Sequence, residues 1–333
     1  MAPVTRKGGR SVILDDRPKK EVVWIYGETK FQPFPGLRLG PQDFLQDYFE
    51  FHPKLQDHIE AMYKSKKKTC RVYVSGHTWL IDFKIMRKTD ENTGYFVPVK
   101  RLPRSKVTNK LVVGVNGVRK FRQRGYKQND DTCNICLYKA TIPTRIDDCG
   151  HEFCFMCIKS NYMMGMECPT CRKEIPSELF DCPISNDLDI HMECPAEYAA
   201  DCVASFSKIK VGTTLGTSDP TPTSSAAPFG IRRSERLSSR KYYWIYQSHS
   251  NGYFRYDPKT EKYLEESFIR KKQKATIFIC GQELVVNFTS WKQYRPPEDP
   301  TVSRNVKRIL ASEIDKHQIK GIAGVRGYVR VIE

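Results

Sequence analysis

The sequence contains no run of about 18 consecutive apolar residues, so it offers no candidate for a membrane-spanning helix. No secretory leader stands at its start, and a reduced compartment, cytoplasm or nucleus, is the expectation for its twelve cysteines. Acidic charge is in short supply: 38 Asp and Glu stand against 55 Lys and Arg, a formal net charge of +17. That surplus favours a polyanionic partner through electrostatic steering and counterion release. DNA, RNA, an acidic protein and poly(ADP-ribose) all satisfy it, as does a solvated basic face with no partner, so charge alone leaves nucleic acid open. The 333 residues leave room for two or three domains.

What is present is concentrated. Seven of the cysteines crowd into residues 133–171 with one histidine, in the order Cys133, Cys136, Cys149, His151, Cys154, Cys157, Cys168 and Cys171. Zinc favours tetrahedral thiolate and imidazole ligands, and a Cys-x-x-Cys turn brings two sulfurs onto one ion. Eight ligands make two closed sites with no open position, which marks the zinc as structural rather than catalytic. A disulfide framework is one rival, disfavoured without a secretory leader. A histone-reading zinc finger is another, but it places its histidine after four cysteines, not three. The order seen here resembles the RING finger of ubiquitin ligases. That resemblance implies a cross-brace, with Cys133, Cys136, Cys154 and Cys157 on one ion and Cys149, His151, Cys168 and Cys171 on the other.

A self-comparison yields the second signal. Residues 48–83 (YFEFHPKLQDHIEAMYKSKKKTCRVYVSGHTWLIDF) and 253–288 (YFRYDPKTEKYLEESFIRKKQKATIFICGQELVVNF) align without a gap, and 9 of 36 positions are identical. Upstream, Trp24, Ile25 and Tyr26 match Trp244, Ile245 and Tyr246; downstream, VKRL at 99–102 matches VKRI at 306–309 and GVNGVR at 114–119 matches GIAGVR at 321–326. One fold is used twice. Each copy reads as an aromatic strand, a Pro turn, a helix, a basic turn and a hairpin whose alternation (Ile277 and Ile279 against Phe278 and Cys280) suits strands packed on a helix.

The C-terminal copy resembles the WWE domain, and the pairing of RING and WWE, with CRKEIP at 171–176 closing the RING, resembles the Iduna-type ubiquitin ligases. Those ligases recognise poly(ADP-ribosyl)ated proteins by holding iso-ADP-ribose. The resemblance implies an adenine pocket walled by Tyr246 and Phe254, an amide donor at Gln293, and phosphate-binding cations at Arg304 and Lys320. Leu284 stands where the family has a tyrosine. In the N-terminal copy Tyr26 and Phe49 are retained, but Lys88 replaces the glutamine, Val97 the arginine and Val113 the lysine, and residues 27–47 replace a short turn. That copy is expected to bind the nucleotide poorly and to scaffold or recognise a protein. In the RING, the resemblance places the docking of a conjugating enzyme charged with ubiquitin on Ile135, Met163 and Pro169, with Arg172 positioning ubiquitin. Met163 stands where many RINGs have tryptophan. Lys159, two residues after Cys157, matches a lysine that reaches the ligand held by the WWE domain.

The expected fold class is therefore α+β multidomain: a two-zinc cross-brace RING finger flanked by two small α+β WWE-like half-barrels. The expected boundaries are a disordered basic tail at 1–20, a degenerate WWE-like domain at 21–120, the RING at 131–176, a helical extension at 177–211, a flexible linker at 212–238 and a WWE domain at 240–329. Cys182, His191, Cys194 and Cys202 offer a third metal site or, on the bland reading, merely sit in that extension; the sequon at Asn287 carries no weight. The expected function is a RING-type ubiquitin ligase with two structural zinc ions and iso-ADP-ribose as ligand. It would act on poly(ADP-ribosyl)ated proteins and the polymerases that modify them, leading to proteasomal degradation and Wnt signalling. The rival from another class is a non-catalytic zinc-containing scaffold that binds anionic polymer or protein.

Overall fold

The computed structural model describes residues 21–29, 46–119, 132–198, 240–280, 282–296 and 302–332. The first copy runs β1 (Val22–Thr29), β2 (Gln46–Glu50), α1 (Pro53–Lys64), β3 (Thr69–Val74), β4 (His77–Asp82), β5 (Arg87–Asp90), β6 (Phe96–Pro103), β7 (Val112–Val115) and β8 (Val118–Arg119). The cysteine-rich centre contributes a hairpin of β9 (Pro143–Arg145) and β10 (Glu152–Cys154), then α2 (Phe155–Met163). The second copy runs β11 (Tyr242–Gln247), β12 (Tyr253–Arg255), α3 (Pro258–Ile269), β13 (Lys274–Ile279), β14 (Gln282–Asn287), β15 (Lys292–Tyr294), β16 (Arg304–Leu310), β17 (Ile319–Ile322) and β18 (Val325–Arg326), and a last strand follows, β19 (Val329–Val331).

The repeat read from the sequence is a repeat in space. The strand order is β3-β4-β5-β6-β1-β2-β7-β8 in the first copy and β13-β14-β15-β16-β11-β12-β17-β18 in the second. In each, one parallel pair interrupts the antiparallel ladder, β2 with β7 and β12 with β17, and a bulge falls at the equivalent step, Tyr48/Phe49 and Tyr253/Phe254. The helices start alike, because Pro53 and Pro258 occupy the first turn and the side chains of His52 and Asp257 accept from the backbone N–H of Lys54 and Lys259. They also stop alike. Lys66 and Lys271 take left-handed φ of 56° and 58°, so the chain turns back and the next residues bond to carbonyls of the last turn.

Each helix packs against its sheet around a fully buried tryptophan. Trp24 and Trp244 are both 0 % exposed, and their indole Nε1–H donates at 2.9 Å to Glu60 and Glu265. Arg101 and Arg308 close each carboxylate from the other side, at 2.7 and 2.6 Å. Two arginine N–H bonds and the indole hold Glu60 well below the usual carboxylate range, at about 2.

The copies do not sit apart. β19 leaves the second copy and adds a strand to the free edge of β3 in the first, with Val329 opposite Val74 and Val331 opposite Val72. Around it the Tyr73 hydroxyl donates to the Ile319 carbonyl, Ser75 N–H to Tyr328, and Gln318 Nε2–H to Gly76, each at 2.7 Å. Residues 183–192 run between the modules: Asn186 donates to Val115 of the first copy, and the Arg255 guanidinium of the second donates to the carbonyls of Ile190 and Met192. Of the expected helical extension, residues 177–198 form a 3-10 turn at Ser177–Leu179 and otherwise follow an irregular path broken by Pro183 and Pro195. Residues 199–211, Cys202 among them, lie outside the described residues, as do the expected tail at 1–20 and linker at 212–238. No helix among the described residues is long and apolar enough to cross a membrane.

Candidate zinc centres and ligand pocket

The eight ligands gather into two groups, Cys133, Cys136, Cys154 and Cys157 in one and Cys149, His151, Cys168 and Cys171 in the other, with ligand atoms within 4.8 Å of one another. The cross-brace expected from the sequence is therefore the arrangement found. The chemistry fits zinc closely. A tetrahedron with Zn–S near 2.3 Å has an S···S edge of about 3.8 Å, and an S···N edge of about 3.6 Å. The Sγ atoms of Cys136 and Cys154 lie 3.8 Å apart, as do those of Cys149 and Cys168, and His151 Nδ1 is 3.6 Å from Cys168 Sγ. The hairpin β9–β10 brings Cys154 back beside the first pair, and α2 then carries Cys157 one turn further. Ile146, Phe153 and Ile158 fill the small space between the sites.

No other cysteine among the described residues joins them. Among the described residues Cys182 is exposed, Cys194 packs against the core of the second copy, and His191 Nδ1 lies 3.0 Å from the Tyr243 hydroxyl. These three residues do not converge on a third site.

On the outer surface Ile135 is half-buried against the zinc core, while Met163, Pro169 and Arg172 are exposed. Leu137 is exposed by 77 % directly after Cys136, an apolar neighbour of this surface that the sequence reading passed over. Lys159 projects from α2 with its ammonium 5.3 Å from the Phe155 ring, and its charge is felt at the Cys280 thiol of the second copy. Burial pushes that thiol up and the lysine opposes the shift.

That pocket is built on the β11–β12 ladder. Tyr246 and Phe254, paired across it, stack with centroids 5.9 Å apart, and Tyr256 tilts against Tyr246 at 4.8 Å. Burial raises the phenols of Tyr246 and Tyr256 well above their usual range, so both stay protonated and able to donate. The Tyr256 hydroxyl donates to Gln293 Oε1, which directs the donor end of that amide elsewhere. Tyr256 was missed in the sequence, although its alignment with Phe51 was a signal. Arg304 is the ladder partner of Gln293. Its guanidinium stands 5.9 Å over the Tyr246 ring and contacts His249, while Lys320 Nζ–H donates to Ser250 Oγ at 2.6 Å. The β11–β12 turn thus joins the two cations. Burial and the neighbouring Arg326 charge lower the Lys320 ammonium.

The first copy repeats the aromatic frame and loses the rest. Tyr26 stacks on Phe49 at 6.1 Å and tilts on Phe51 at 4.9 Å. Lys88 takes the ladder place of Gln293, with Val97 opposite it where the second copy has Arg304, and Val113 takes the place of Lys320 beside the bulge. The Lys88 ammonium lies 3.4 Å from the Tyr26 centroid and 4.0 Å from that of Trp79, so the pocket is filled from inside by its own cation. Burial pushes that ammonium down to about 7, against the opposing charges of Glu28 and Asp90.

A cavity of about 670 Å³ lies elsewhere, between the zinc module and residues 185–195. Glu152, Asp187, Asp189 and Glu193 line it against a single Lys139, which makes it a poor seat for an anion.

Comparison with known proteins matches this geometry. The WWE domain model fits residues 42–101 and 242–308, and the model described as "Zinc finger, C3HC4 type (RING finger)" fits 133–171. The E3 ubiquitin-protein ligase RNF146 of Homo sapiens is 27% identical over 194 residues, covering 58% of this chain and 41% of that protein. The rnf146 ligase of Xenopus tropicalis is 27% identical over the same share of this chain and 46% of its own length. An uncharacterized RING finger protein of Caenorhabditis elegans is 30% identical over 117 residues, 34% of this chain and 33% of that protein. The chain thus combines two WWE domains with a two-zinc RING finger, and its matches span less than half the length of these curated relatives.

Proposed function

We propose that the protein is a RING-type ubiquitin ligase whose second WWE domain reads iso-ADP-ribose, the internal unit of poly(ADP-ribose), on modified proteins. The observation that carries this reading is the contrast between two pockets on one frame. The second offers flat walls at Tyr246, Phe254 and Tyr256 for a purine base, an amide donor at Gln293, and cations at Arg304 and Lys320 suited to two phosphates. The first offers a plug. In this reading Lys159, on α2 of the zinc module, adds a further cation, so that a ligand in the second pocket meets both modules. It then favours whichever arrangement makes that contact.

The RING forms no bond to ubiquitin. Zinc, when bound, supplies the rigid cross-links that hold the two loops in place. Ile135, Pro169 and Met163 present a shallow apolar surface to a charged conjugating enzyme, and Arg172 lies where a cation can steady ubiquitin. The rate gain is proximity and orientation: the thioester is held where a substrate lysine can attack. Substrates are poly(ADP-ribosyl)ated proteins and the polymerases that modify them, in cytoplasm and nucleus, with proteasomal turnover and Wnt signalling as the downstream reading.

Autoubiquitination by the full chain, with and without iso-ADP-ribose, tests this beside Arg304→Ala. Ligand stimulation that the variant loses is the expected result; activity indifferent to ligand refutes the gated ligase. Exposed Met163, in place of the tryptophan expected there, and half-buried Leu284, in place of a tyrosine, favour the rival scaffold. No ubiquitin transfer with any conjugating enzyme would select that rival.

A further inference from the structure

Lys259 stands at the second position of α3, next to the helix start, where the positive end of the helix dipole disfavours a cation. It is nonetheless 7 % exposed. Its ammonium donates to Cys136 Sγ at 2.9 Å and Cys154 Sγ at 3.2 Å, two ligands of the four-cysteine zinc site in another module. The rings of Tyr138 and Tyr198 wall it at 5.8 and 5.5 Å. The neighbouring helix cap belongs to the same junction. One Asp257 oxygen accepts from Lys259 N–H and the other from Thr141 Oγ–H, while Thr141 N–H donates to Cys154 Sγ. A closed circuit of bonds therefore runs from the thiolates through Thr141 and Asp257 to Lys259 and back.

The matched residue of the first copy argues against a generic role in the helix. Lys54 has the same place in α1, after the same Pro turn, and is exposed. The charge balance supplies a reason for the difference. Four thiolates around a divalent ion carry a net charge of about −2, against about −1 for three thiolates and an imidazole. Lys259 sits on the more negative site. We propose that Lys259 is an outer-sphere partner of this zinc site, borrowed from the second WWE domain, so that metal retention and docking of that domain are one event. The loop it braces, 133–136, also holds Ile135, so the contact ties the reader domain to the surface read above as the conjugating-enzyme dock.

The test uses the full chain loaded with two equivalents of zinc, followed into a chromogenic chelator, beside Lys259→Met, Lys259→Arg and Lys54→Met. Lys259→Met is expected to speed one of the two release phases by about ten- to a hundredfold and to leave the other unchanged. Lys259→Arg should restore most of the slow release, and Lys54→Met should match the parent. Amide exchange across residues 258–264 should rise in Lys259→Met, and in the parent once the metal is stripped. Release within twofold of the parent, or equal acceleration of both phases, overturns the proposal, and so does exchange at 258–264 that ignores the metal. None of these readouts depends on ubiquitin transfer or on iso-ADP-ribose, so failure here is separable from failure of the ligase reading.

Discussion

The two WWE copies share strand order, bulge, helix caps and a buried tryptophan bonded to a glutamate and an arginine, yet only the first has its aromatic frame plugged by a lysine of its own. The frame is specified by the aromatic and aliphatic core, and the pocket by three positions on its ladders where polar and apolar side chains interchange. Those three can change while the fold persists. The helix starts teach the same lesson. His52 and Lys54 in α1 lie where Asp257 and Lys259 lie in α3, but the first pair meets the segment at Asn186 and solvent, and the second meets a zinc site.

The largest blow to the comparison is one that should fall equally on both sides. Trp24→Ala and Trp244→Ala each remove a fully buried indole and leave a cavity, at a cost of about 3–5 kcal/mol. Denaturant unfolding should show similar losses for the two, while ligand affinity collapses only for Trp244→Ala. A loss confined to one copy would mean that the frames are not equivalent.

Next comes the pocket itself. Gln293→Ala and Arg304→Ala each remove a group proposed above to bond the ligand, and each should weaken iso-ADP-ribose by about ten- to a hundredfold, ~1.5–3 kcal/mol, in titration calorimetry. Val97→Ala, on the matching ladder, should leave it unchanged. The sharper experiment is the graft Lys88→Gln with Val97→Arg and Val113→Lys, which should give the first copy measurable affinity by removing the plug and supplying the cations. A graft that folds and stays silent would place the defect in the β1–β2 connection instead.

Much of this was legible in the sequence, and the reason is local spacing. The eight ligands announce their metal by count and order, and the repeat, continued at the same offset past its gapless stretch, pairs Lys88 with Gln293, which do share one ladder place. What spacing does not encode is contact between modules. Nothing in the pattern of Val329, Arg330 and Val331 says that this strand completes the sheet of the other copy, and Lys259 reads as an ordinary helix lysine. Such contacts arise from the complementarity of two surfaces far apart in the chain, and surfaces carry no period.

A smaller effect distinguishes the plugged pocket by its pH response. Lys88 is held down to about 7 when folded and returns toward 10.5 when unfolded, so between those values the unfolded chain binds the extra proton. Stability should therefore rise with pH across that window, by at most about 1.4 kcal/mol per unit, and be indifferent to Lys88 below it. Glu28 and Asp90 face the ammonium and oppose its deprotonation, which blunts the slope. The thermal midpoints of the parent and Lys88→Met, compared from pH 7 to 10, should converge as pH rises; a constant gap would show that Lys88 stays charged in the fold.

The smallest effect asks whether the plugged copy shapes the pocket of the other. Gly76, in the β3–β4 turn of the first copy, takes φ +93°, and a Cβ there would lie 2.7 Å from Lys320 Cγ. Its carbonyl accepts from Gln318, two residues before Lys320. The turn therefore borders the aliphatic stem of Lys320, whose ammonium donates to Ser250. Gly76→Val combines backbone strain with that collision, and a flexible lysine stem can yield by rotating its ammonium off target. Iso-ADP-ribose should then bind about three- to tenfold more weakly, roughly 1 kcal/mol, and Lys320→Met combined with Gly76→Val should add little further loss, since both act through one group. Full additivity in that double variant would mean that the first copy touches the pocket without shaping it.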